Sequence, residues 1–81
     1  MKKVIRVRKC FYWDSCQNQE KEYAVVFHGI EGKNVAFPAK DLKAGFSLLR
    51  LAKRRYPELR PYLAKVSGES DSIVRVEKVQ E

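Results

Sequence analysis

The side chains best spaced to do chemistry are cations. Stepping Lys40–Tyr56 at about 100° per residue separates an apolar arc from a polar stripe. The arc is Leu42, Gly45, Phe46, Leu49, Ala52 and Tyr56, widened by Ala44, Leu48 and Leu51; Lys43, Ser47, Arg50 and Arg54 form the stripe. Arg55 follows directly, and no acid stands between Asp41 and Glu58. An ordinary solvated helix face mixes acids with bases, so a stripe of bases alone points to an anionic partner. Cations repeated along a helix neutralise successive phosphates and release counterions, which gives affinity without reading bases. Ser47 adds a hydroxyl able to bond a phosphate oxygen. Arg6 and Arg8 form a second set on one side of an alternating stretch, with Tyr12 further along. Guanidinium groups beside an aromatic ring are the parts of a single-strand platform, where bases stack on the ring and cations hold the backbone.

Other chemistries lack their parts. His28 is the sole histidine, and no serine sits in a pattern that marks an activated nucleophile. Glu20 and Glu22 flank a polar loop, whereas paired carboxylates need burial to separate their pKa values. Gly29 and Gly32 are too close for a phosphate-binding loop and do not open a helix. A backbone clamp of the KH type joins two helices, and this glycine pair joins two strands. Cys10 and Cys16 with His28 would leave a zinc ion one ligand short. The expectation is a protein that is not an enzyme, with no metal and no cofactor.

Composition narrows the partner. The 81 residues carry a net charge of +7, with 44% hydrophobic and 33% charged residues, the make-up of one small globular domain spanning 1–81. The charge is polarised. Residues 1–9 hold five bases and no acid, residues 40–65 hold eight bases against two acids, and the remainder is net acidic. Such a field favours a polyanion. No apolar run reaches the roughly 20 residues of a membrane helix. Arg6 and Arg8 interrupt any uncharged leader core, so a cytoplasmic protein with free thiols is expected. The expected function is a nucleic-acid-binding module for DNA or RNA, working mainly through phosphate contacts. The alternative is a protein-interaction module that uses its basic face on an acidic protein, or an edge strand in a homodimer.

These residues need elements to hold them. Lys3–Trp13 alternates, with Ile5, Val7, Phe11 and Trp13 inward and Lys9 out of place among them, which predicts a bulge or an edge near Lys9. Residues 14–20 read as a loop. Lys21–His28 is apolar on both sides and reads as a central strand. A hairpin through Gly29 and Gly32 leads to a third strand, Lys33–Phe37, ended by Pro38. The basic helix has Asp41 at its start, as N-cap or first-turn acid, and Pro57 as its stop. Gly45 in mid-helix implies close packing against the sheet. Leu59, Tyr62, Leu63 and Val66 fall at helical spacing and predict a second, shorter helix over Glu58–Val66. After a turn at Ser67–Asp71, Ser72–Val79 alternates with Val74 and Val76 inward. The predicted class is α+β: a small antiparallel sheet in the order β-β-β-α-α-β, with both helices on one face. The leading β-β-β-α order resembles that of the three-stranded DNA-binding modules of some plant transcription factors and of integrase arm-binding domains, in element order alone.

Overall fold

A computed structural model describes residues 4–11, 13, 21–30 and 33–79. Five strands, β1 (Val4–Lys9), β2 (Tyr23–Ile30), β3 (Lys33–Ala39), β4 (Tyr62–Glu69) and β5 (Ile73–Lys78), are joined with one helix, α1 (Leu42–Arg55), and a short 3-10 turn at Pro57–Leu59. The strands close into a barrel in the order β1-β3-β2-β4-β5. Every pairing is antiparallel except β1 with β3, which run parallel through a seam at Arg8–Val35 and Lys9–Ala36. No helix among the described residues is long and apolar enough to cross a membrane.

This architecture corrects the α+β class with two helices on an open sheet. The predicted second helix is instead the 3-10 turn followed by β4. Arg60 adopts left-handed dihedrals, with φ 47°, immediately before Pro61, and the chain leaves the turn extended. Tyr62, Leu63 and Ala64 are all buried, because β4 has the barrel interior on one side and α1 on the other. A strand buried on both faces loses its alternation, and the remaining apolar spacing imitates a helix. Barrel closure also replaces the open sheet of the three-stranded DNA-binding modules.

The core has two layers. Val7, Ala24, Val26, Ala36, Val74 and Val76 fill the barrel interior. Val25, Phe27 and Leu63 point outward and meet Leu49 and Ala52 of α1. β2 is therefore buried on both faces, as its sequence implies. Each fully buried Val or Leu contributes roughly 1.5–3 kcal/mol. Gly45 brings α1 close: a Cβ built there would stand 2.6 Å from Cδ1 of Leu63.

Several local expectations change with closure. β1 ends at Lys9; the amide of Cys10 donates to the Ala36 carbonyl, and that of Trp13 donates back to the Cys10 carbonyl. The turn breaks the alternation, so Trp13 is 1% exposed while Phe11, expected in the core, is 97% exposed. β1 pairs with β5 in unbroken register from Val4 to Arg8 and with β3 only at Arg8 and Lys9, and the register shifts among the described strands fall in β2 and β4. Pro38 lies within β3 opposite Ala24, beyond the β1–β3 seam, where a missing N–H costs no ladder bond. β4 runs through the predicted turn as far as Glu69. β5 matches its alternation, with Val74 and Val76 buried.

Candidate interaction surface on the α1 wall

α1 begins where Asp41 caps it: the Asp41 carboxylate accepts from the Ala44 amide at 2.8 Å. Its buried residues are Gly45, Leu49 and Ala52. At about 100° per residue, the side diametrically opposite that face carries Lys43, Ser47, Arg50 and Arg54, all exposed. The stripe is thus the outward face of the helix. The packed arc is narrower than the sequence implies, because two of its three buried residues are small and bring the helix axis close to the sheet. Leu42, Phe46, Leu51 and Tyr56 are pushed to the flanks and are exposed. Lys53, Arg54 and Arg55 occupy the last turn, where they complement the negative end of the helix dipole. Among the described residues no carboxylate forms an ion pair with Lys43, Arg50, Arg54 or Arg55.

Beside the stripe lies an apolar groove of about 400 Å³. Leu48, Leu51, Ala52 and Arg55 form its helix side, Tyr56 and Leu59 its end, and Phe27 and Phe37 its floor. The floor rings meet edge to face at 5.1 Å, and Tyr56 meets Phe27 in the same way at 6.1 Å. The Leu59 amide donates to the Tyr56 carbonyl, so the 3-10 turn closes the groove's end. Among the described residues, Arg55 is its one charged lining residue. Sequence reasoning assigned Leu48 and Leu51 to the core and Leu59 to a second helix. The available signal was an apolar arc wider than one packed face can use.

The other predicted site residues lie elsewhere. Arg6 and Arg8 are exposed on the outside of β1, with Arg75 of β5 directly opposite Arg6. α1 packs over β2, β3 and β4. In the strand order, β1 and β5 form the far wall of the barrel. The structure therefore separates Arg6 and Arg8 from Lys43, Arg50 and Arg54. Tyr12 lies outside the described residues.

The barrel ends hold the remaining polar clusters. At the Glu69 end, the Trp13 indole donates to Oε2 of Glu69 at 2.8 Å, and Lys9 Nζ reaches the same oxygen at 3.3 Å. Lys21 Nζ sits 5.5 Å above the Trp13 ring. The Trp13 hydrogen bond is the main cause that holds the Glu69 carboxyl below its ordinary pKa, with Lys9 assisting. At the opposite end of β4, the His28 ring lies 5.2 Å from that of Tyr62, and His28 Nδ1 pairs with Asn34 Oδ1 at 3.1 Å. The Tyr62 hydroxyl is buried with no hydrogen-bond partner among the described residues, and burial raises its pKa.

Among the described residues, fold and surface together define a class: a small closed five-stranded barrel that carries one α-helix with a basic outer face. No family model, curated protein or solved structure matches the chain. The designation as a nucleic-acid- or DNA-binding α+β module loses its basis in element order, since the sheet is a closed barrel and the two cationic sets do not meet.

Proposed function

We propose that the protein is an interaction module that binds an acidic segment of another protein along the outward face of α1. The observation that carries this reading is the stripe itself. Lys43, Arg50 and Arg54 stand exposed opposite the packed face, with the Ser47 hydroxyl among them and no ion-pair partner among the described residues. Long-range attraction between such a face and an acidic partner speeds encounter and fixes orientation. A nucleic-acid backbone would make the same cationic contacts. It would also gain from a continuous track, and Arg6 and Arg8 lie on the far wall. The apolar groove beside the stripe suits a polypeptide. We place the encounter in the cytoplasm.

The test is a titration of the full chain against a labelled oligoglutamate peptide and against labelled single- and double-stranded DNA and RNA, each at two salt concentrations. The peptide is expected to bind more tightly than any nucleic acid, with affinity falling as salt rises. The triple variant Lys43→Glu, Arg50→Glu, Arg54→Glu is expected to stay folded, with a slightly lower melting temperature because an acid replaces Arg54 in the last helical turn, and to lose the peptide. Undiminished peptide binding by that variant, or tighter binding to a nucleic acid, would overturn the reading.

A further inference from the structure

We propose that the groove between α1, Tyr56 and the Phe27–Phe37 floor receives one large apolar side chain, aromatic or leucine, from the acidic segment bound along α1. The inference rests on the acidic-partner reading and adds to it what that partner must contain.

Three features of the groove lead to this occupant. Its volume of about 400 Å³ falls within the ordinary range for ligand pockets, roughly 300–1,000 Å³. Its walls are apolar but for Arg55 and the Tyr56 hydroxyl, so they offer nothing to hydrogen-bond a polar group at depth. Its rim residues Leu51 and Tyr56 are 47% and 46% exposed, apolar surface that a bound side chain would cover.

Charge complementarity selects the rest of the partner. Arg55 stands on the rim, Arg54 follows on the outward stripe, and no acid among the described residues lines the cleft. A carboxylate next to the apolar anchor would meet Arg55, while further carboxylates continue along Arg54, Arg50 and Lys43. Interfaces commonly concentrate their binding energy in a few well-packed buried anchors, ringed by near-neutral contacts that exclude water. The stripe then governs approach and orientation, and the groove governs which acidic segments stay bound.

The experiment compares two labelled acidic peptides, alike except for a central Phe or Ala, on the full chain and on Leu51→Ser. Leu51 is half exposed, and a thermal melt reports whether that variant folds. Burying the Phe ring should tighten binding by about tenfold to a hundredfold over the Ala peptide. On Leu51→Ser this ratio should shrink several-fold. A methyl NMR titration of the unmodified protein with the Phe peptide should shift Leu48, Leu51 and Leu59, which tests the site even where the variant fails to fold. Equal affinity for both peptides would overturn the anchor and leave the acidic-partner reading intact. Binding of neither peptide would overturn both. A Phe preference that survives in folded Leu51→Ser, or methyl shifts away from the groove, would also overturn the anchor.

Discussion

Glu69 holds one mouth of the barrel together through a single oxygen. Oε2 accepts from the Trp13 indole at 2.8 Å and meets Lys9 at 3.3 Å. Trp13 is almost wholly buried, and the Lys9 side chain is 9% exposed, so neither donor has ready access to water. This explains how a lysine on the inward face of β1 is tolerated without a bulge. Glu69 is itself half exposed, so water can partly replace the lost acceptor, and Glu69→Ala should cost about 1 kcal/mol near neutral pH, the low end for an unmet donor. The pH dependence has a definite sign. The folded pKa lies below the ordinary glutamate value of about 4.3, so the unfolded chain takes up the proton first as pH falls. The stabilisation is complete above about pH 5 and is lost as pH falls through the folded pKa. Glu69→Gln keeps an oxygen acceptor and cannot titrate. Melting curves of the two proteins from pH 7 downward should therefore converge in acid, and a gap that stays constant down to pH 2.5 would contradict this role.

The seat of α1 decides how the stripe is presented. Gly45 lies over the fully buried Leu63, whose Cδ1 would have to shift to admit a side chain. Gly45→Val should lower stability by roughly 2 kcal/mol, since overpacking a filled site typically costs about 1–3 kcal/mol. Chemical denaturation would measure this, and an unchanged midpoint would mean that the helix can lift without loss. The same contact shows what was legible in advance. A glycine at the centre of an apolar arc implied close approach, and the spacing of Lys43, Ser47, Arg50 and Arg54 marked the outward face. The two apolar faces of β2 and the alternation of β5 also read correctly. β4 did not, because Tyr62, Leu63 and Ala64 are buried on opposite sides and erase the period of two. Phe11 was misplaced because the phase carried past Lys9, where the chain turns. The groove could not be read locally either, since Phe27, Phe37 and Leu59 come together only after the barrel closes.

At the scale of the whole molecule the basic charge is divided between two walls. The protein measures 31 × 28 × 28 Å, while the Debye length at physiological ionic strength is about 8 Å. Charges on the α1 wall and on the β1–β5 wall are therefore screened from each other and act as separate surfaces. On the far wall Arg6 and Arg75 face each other across paired strands, an arrangement that is destabilising for like charges. Arg75 leans the other way, over Gly68, where a Cβ would come within 3.0 Å of its Nη2. The absent side chain gives the guanidinium room to move away from Arg6, which limits the repulsion without cancelling it. Arg75→Glu would replace a repulsive pair with an attractive one and should raise stability by about 0.2–1 kcal/mol. It should leave the affinity of an acidic peptide for the α1 wall within about twofold at physiological salt, because screening separates the walls. Parallel melting and peptide titrations of Arg75→Glu and Arg54→Glu would check both expectations. If Arg75→Glu weakened peptide binding as much as Arg54→Glu, the bound segment would have to wrap both walls, and the far-wall arginines would belong to the same binding surface.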